Sequence, residues 1–227
     1  MSTDIQVKRR LGRPPGSNAV QTRQRITKAA QDVFRELGYA GTTNKTVADR
    51  AGLTRPTINY HFESKQALFR CVVDANAKVV EATTRRVAAQ EPTLRGRLRE
   101  LTISLCADPD VRAATASLMA AAIDSDRHPE LRTTRGDLFA ALRSFLLSSV
   151  RSAVECGDVR ADVEASSLAD AYLAVLSGMA LNGGETRGES RSPALVETSL
   201  LLLTGELFCY PNGSVSWTDE LTILRAR

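Results

Sequence analysis

TNKTVADRAGLTRPTINYHF, residues 43–62, sets two short helical patterns around a single glycine. Thr43 has the side chain of a helix N-cap, Val47, Ala48 and Ala51 recur on one helical face, and Gly52 suits the tight turn that follows. Thr54 offers a second cap. Pro56 falls in the first turn of the next helix, where its missing N–H leaves no bond unmade, and Ile58 and Phe62, one helical turn apart, point the same way. At about 100° per residue, Pro56 and Tyr60 fall opposite Ile58, with Thr57 and Asn59 beside them. Two short helices about a tight turn, the second with an outward polar face, form a helix-turn-helix, which lays its second helix in the major groove of DNA. On that reading Arg55 reaches a phosphate or a guanine edge, Thr57 and Asn59 offer hydrogen bonds, and Tyr60 offers a hydroxyl and a ring. A plain helical hairpin with a solvated polar face would show the same local spacing, so the flanking sequence has to separate the two.

The flanks are helical on both sides. Thr22 to Leu37 carries Ile26, Ala29, Ala30, Val33, Phe34 and Leu37 on one face, with Gly38 placed to end the helix. Ser64 can cap a further helix bearing Leu68, Phe69, Val72, Val73, Val79 and Val80, with Lys65 at its start. The connected run from Thr22 to Val73, including YHFESKQAL at residues 60–68, resembles the DNA-binding domain of the tetracycline-repressor (TetR) family, a three-helix unit leading into a long fourth helix. The resemblance implies phosphate contacts from Thr43, His61 and Lys65, and base or backbone contacts from Arg55, Pro56, Thr57 and Tyr60. Asn59 departs from the family pattern, in which an aromatic residue is common before the Tyr-His pair. An asparagine there either reads an adenine edge or is a neutral surface residue.

Charge is distributed to match. Residues 1–62 hold 11 Lys or Arg against 4 Asp or Glu, a net of +7, whereas the rest of the 227-residue chain is net −3. Arg23, Arg25, Lys28, Lys45, Arg50 and Arg55 belong to the helical part of that basic region, as phosphate neutralisation requires. KRRLGRPPGSN, residues 8–18, is basic and rich in Pro and Gly, and reads as a non-helical arm. Its Gly12-Arg13-Pro14 core resembles an AT-hook, in which Arg13 enters a narrow A·T-rich minor groove; a diffusely attracted basic tail is the alternative.

Cys71, Cys106, Cys156 and Cys209 are far apart and form no CxxC pair, and His61 and His128 are the two histidines. Neither pattern supplies a metal site, a disulfide framework or a histidine-based catalytic centre, and no cofactor is expected. Nucleotide-binding glycine motifs, HExxH and GxSxG are also missing, so an enzyme is the weakest reading. The polar, basic start lacks an apolar leader, and the longest nearly apolar run, Ala169 to Leu181, is too short to cross a bilayer. A cytoplasmic location follows as the expectation.

Beyond Ser64 the pattern is helical almost throughout, broken near Pro92, Pro109, Pro129, Gly157-Asp158 and Gly183 to Pro193. The whole chain is expected to be all-α with about nine helices. The expected division is a flexible arm over 1–20, a DNA-binding domain over 21–63, a helical effector-binding and dimerisation domain over 64–210, and a tail over 211–227. Leu168 to Leu181 and Leu195 to Phe208 are apolar on more than one face. The family resemblance implies that the last two long helices build a homodimer interface, and a dimer suits a palindromic operator. Met119, Ile123, Phe145, Tyr172 and Leu176 are candidate lining residues for a largely apolar small-molecule effector, with plain core packing as the alternative for each. The functional expectation is a dimeric regulator, a repressor released from double-stranded operator DNA by such an effector. A thiol-based redox regulator using Cys71 or Cys106 is the second reading.

Overall fold

The computed structural model describes residues 15–131, 139–181 and 193–204. Among them the chain is all-helical, with nine α-helices, one 3-10 turn and no strand. The helices are α1 (Pro15–Gly41), α2 (Asn44–Ala51), α3 (Arg55–His61), α4 (Lys65–Gln90), α5 (Leu94–Ala107), α6 (Pro109–Arg127), α7 (Ala140–Glu155), α8 (Ala165–Leu181) and α9 (Pro193–Thr204). The 3-10 turn is Pro129–Leu131.

Helix α1 begins at Pro15, ahead of the expected start at Thr22 and inside the stretch assigned to the arm. Proline tolerates a first helical position because its absent N–H would have no intrahelical acceptor there. Residues 1–14, including Arg13, and the tail over 211–227 lie outside the described residues, as does Cys209.

By packing, the chain falls into two compact units, each drawn from two stretches of sequence. One compact unit takes the chain to Ala82 together with Ala113–Leu142; the other takes Thr83–Arg112 and the chain from Arg143. The reason is that α4 and α6 are long, so each carries the chain from one unit into the other.

In the first unit, Ile26, Ala29, Ala30, Val33 and Phe34 of α1 are buried with Val47, Ala48 and Ala51 of α2, Ile58 of α3, and Leu68, Phe69, Val72 and Val73 of α4. Leu37, in register with the α1 stripe, is 50% exposed. Helix α1 bends at Gly38, whose φ of 67° and ψ of 176° suit a residue without a Cβ. The bend frees the Tyr39 N–H, which donates to Asp124 Oδ2 of α6 at 2.8 Å. Tyr39 is buried against Phe34 and Phe69, with ring centroids 6.1 and 5.2 Å away. The Gln66 side-chain amide donates to the Glu130 carbonyl, and buried Asn76 donates to Ser117 Oγ at 2.9 Å. The end of α6 and the turn after it are thereby bonded to the start of α4 and the bend of α1.

In the second unit, Leu94, Leu98, Leu101 and Leu105 of α5 are buried, as are Phe145, Leu146 and Val150 of α7 and Ala169, Leu176 and Ala180 of α8. Helices α8 and α9 both pack on α5. Arg97 joins α5 to α7 by donating to Ser149 Oγ at 3.0 Å, and Arg143 forks onto the Asp170 carboxylate at 2.6 and 2.9 Å. Glu164 caps α8 by accepting the backbone N–H groups of Ser166 and Ser167. No described helix is long and apolar enough to cross a membrane.

Candidate nucleic-acid interface

Capping sets the frame of the two short helices. The Thr43 hydroxyl accepts the Thr46 N–H at 3.1 Å, while the Thr43 N–H donates to the Thr46 hydroxyl at 3.0 Å, a reciprocal capping box. Gly52 closes α2 in the left-handed conformation at φ 59°, and its N–H reaches back to the Ala48 and Asp49 carbonyls. Thr54 then caps α3 by accepting the Thr57 N–H, and Pro56 occupies the first turn. The turn geometry inferred from the sequence is therefore the one present.

Anchoring of α3 comes from Ile58, at 0% exposure, and Phe62, at 3%. Fixing these two inward forces the opposite face outward. Tyr60 stands 85% exposed, and Arg55, Pro56 and Asn59 are exposed beside it, while Thr57 and His61 are half-buried. Thr43 is exposed at the start of α2. The structure thus gathers Arg55, Pro56, Asn59 and Tyr60 on one solvent face. Tyr60 makes no contribution to the core, and its ring and hydroxyl are open to solvent on this face.

Several of the basic residues have internal roles. Arg23 donates to the His61 carbonyl at 2.9 Å and lies 4.2 Å from the Phe62 ring centroid, so it holds the last turn of α3. Arg50 forks onto Glu36 at 2.9 and 2.6 Å; the guanidinium keeps the Glu36 carboxyl below its usual range, and the carboxylate raises Arg50 in return. Arg50 is thus a neutralised pair rather than a free phosphate ligand. Lys65 Nζ donates to the Tyr39 carbonyl at 2.8 Å and sits 4.3 Å over the Tyr39 ring, which leaves donors of the ammonium available to an anion.

Two contributors carried no signal in the sequence. Asn44 Nδ2 donates to Asn59 Oδ1 at 2.8 Å across the hairpin, and Asp124 reaches Tyr39 from 85 residues away. Neither pairing follows from helical periodicity, because each joins different elements.

The five candidate effector residues are shared between the two units. Met119 and Ile123 belong to the first unit, with Ile123 45% exposed, while Phe145, Tyr172 and Leu176 belong to the second. Phe145 and Leu176 are core. Tyr172 alone lines the second unit's cavity of about 380 Å³, together with Thr93, Leu94, Arg95, Leu98, Asp158, Val159 and Leu203. Burial raises the Tyr172 phenol above its ordinary value, and its hydroxyl lies 3.5 Å from the Leu203 carbonyl. Periodicity could find apolar positions but not which of them border a void. Among the described residues no group of three or more His, Cys, Asp or Glu is close enough to hold a metal ion.

Known proteins give the same picture. Residues 26–72 match the family model described as bacterial regulatory proteins, tetR family. The chain is 25% identical over 166 residues to the HTH-type transcriptional regulator TtgR of Pseudomonas putida, covering 71% of this chain and 79% of that one. It is 26% identical over 188 residues to the HTH-type transcriptional repressor AcnR of Corynebacterium efficiens, covering 82% and 95%. Among solved structures, Salmonella enterica GusR aligns with a TM-score of 0.62 at 26% identity over 88% of this chain and 99% of that one. FadR of Bacillus subtilis, solved in complex with stearoyl-CoA, shares the fold at a TM-score of 0.65 and 15% identity, over 82% and 99%. The capped hairpin, its outward Tyr60 face and these likenesses agree: residues 26–72 are similar to the tetR-family DNA-binding region, and the chain as a whole is similar to HTH-type transcriptional regulators.

Proposed function

We propose that the protein is a homodimeric repressor that binds a palindromic operator through α3 and is released by a small, largely apolar effector held in the second unit. The observation that carries the DNA part is the exposed face of α3, with Tyr60 outermost and Ile58 locked beneath it. In this reading Arg55, Pro56, Thr57, Asn59 and Tyr60 meet base edges or adjoining backbone, and Thr43, His61 and Lys65 meet phosphates. Dimerisation is supported by the apolar character of α8 and α9 on more than one face, including Leu202 at 51% exposure. Two copies of α3 spaced about 34–36 Å apart match successive major grooves.

The cavity beside Tyr172 supports the effector part. Its walls include Leu94, Leu98, Val159 and Leu203, with Arg95, Asp158 and the Tyr172 hydroxyl as polar points. An effector releases DNA only if it binds better to the conformation in which α3 is misplaced, and α4, which begins after the hairpin and continues into the second unit, is the covalent route. Selection of bound fragments from genomic DNA, followed by footprinting and sedimentation on the best site, tests the proposal. A two-fold footprint, a dimer at micromolar concentration and release by apolar compounds are expected; a one-sided footprint or a monomer overturns it. Deleting residues 1–14 tests Arg13 in the same assay: loss of A·T preference beside the site supports minor-groove entry, and a change in salt dependence alone supports diffuse attraction.

A thiol-responsive mode is favoured by one contact. Cys71 Sγ lies 3.8 Å from Arg23 Nη2, and the same guanidinium holds the His61 carbonyl of α3. Cys106 belongs to the second unit. Operator affinity unchanged by peroxide ends this reading.

A further inference from the structure

Asn59 is the residue of the exposed α3 face whose polar atoms are already partly committed. Its Oδ1 accepts from Asn44 Nδ2 at 2.8 Å, and its Nδ2 has no partner among the described residues. Asn44 is the first residue of α2. At a helix start the backbone N–H groups carry partial positive charge, which favours an amide oxygen turned toward them and an amide NH2 turned away. That polarity presents the Asn44 NH2 to its neighbour, so Asn59 has to answer with its oxygen. Thr43, one residue earlier, is fixed by the capping box, which restrains the backbone from which Asn44 projects.

We infer that Asn44 sets the base preference of Asn59, by holding its amide so that the NH2 alone faces the major groove. The inference rests on α3 being the reading helix. An unrestrained asparagine reads adenine with both atoms, accepting from N6 and donating to N7. With Oδ1 occupied, Asn59 is a donor only. It then suits any base with an acceptor at its major-groove edge, namely guanine, thymine through O4, or adenine through N7, and it opposes cytosine, whose N4 amino group is a donor. Asn44 makes no base contact in this scheme and is a positioning residue. The family position commonly filled by an aromatic ring is here a tuned hydrogen-bond donor.

Selection from a random duplex pool with the full-length protein tests this through three variants. Asn59→Ala flattens the preference at one position per half-site and thereby identifies it. At that position the wild-type protein excludes cytosine. Asn44→Ala frees Oδ1, and adenine rises about threefold to tenfold over guanine and thymine, the range of one added hydrogen bond. Asn44→Asp leaves a carboxylate that only accepts, so the Asn59 amide turns over and presents its oxygen. Cytosine and adenine, which offer amino groups, then gain at the expense of guanine and thymine. A general loss of helix stability lowers affinity evenly and does not reorder bases. Identical base profiles for wild type, Asn44→Ala and Asn44→Asp overturn the inference while leaving the DNA reading intact. An Asn59→Ala profile unchanged at every position overturns it too. A wild-type protein that selects no consensus removes the DNA reading as well, and so marks that failure apart.

Discussion

Ile58 and Tyr60 show how two residues of one turn divide core from solvent. Ile58 is fully buried, and its replacement by Ala removes methyl groups from a packed site, so Ile58→Ala should cost about 2–5 kcal/mol in denaturant unfolding. Tyr60 is 85% exposed, and Tyr60→Ala should change stability by no more than about 0.5 kcal/mol while weakening operator binding. A Tyr60→Ala protein that binds specific DNA as tightly as wild type would remove the ring from the interface. Both assignments are readable from the sequence, since Ile58 and Tyr60 lie on opposite sides of a helix whose start Thr54 and Pro56 announce. The bonds of Arg23, Arg50 and Lys65 are not readable in that way. Long basic side chains reach partners on other helices, and the sequence shows their charge but not their direction.

Helix ends carry the next level of information. The capping box at Thr43 and the left-handed Gly52 are local chemistry, which is why their positions follow from residue type. Asp124 differs. It accepts the Tyr39 N–H that the Gly38 bend withdraws from α1, joining two helices distant in sequence. Asp124→Ala leaves that N–H without its acceptor and should cost about 1–3 kcal/mol, with Asp124→Asn losing less because an oxygen remains. Equal urea midpoints for the Ala and Asn variants would argue against the bond. At the start of α8, hydrogen bonds from the hydroxyl and backbone of Ser166 and Ser167 pull Glu164 down to about 2 from 4.5. A carboxyl with a lowered folded value stabilises the folded state fully above its unfolded value and loses that contribution as pH falls through the folded one. The α8 cap should therefore persist at pH 4 and fail toward pH 2, which a carboxyl NMR titration can follow. Glu164→Gln should abolish that transition, and a Glu164 midpoint near 4.5 would contradict the cap.

For the entire chain, the separation of charge is the property with a direct readout. A net of +7 over residues 1–62 against −3 over the remainder directs binding to phosphate, and operator affinity should fall steeply with salt. Each phosphate contact contributes a slope of about −0.9 in log affinity against log salt, so Arg55→Ala should reduce the slope by about 1 if Arg55 lies on the backbone. An unchanged slope with altered base preference would instead place Arg55 on a guanine edge. The two compact units are less legible than the helices that build them. Ala113–Leu142 packs with the chain up to Ala82, because α6 is bonded to the α1 bend and to α4 by contacts that helical periodicity does not reveal. The same limit applies to the cavity beside Tyr172, whose walls come from several helices and loops of the second unit. Helical class, the hairpin, its caps and the outward face of α3 depend on contacts within a few residues, and the amino-acid order fixes them. The Asn44–Asn59 bond, the Asp124 acceptor and the walls of the cavity depend on side chains brought together from separate helices, which is a matter of packing in three dimensions.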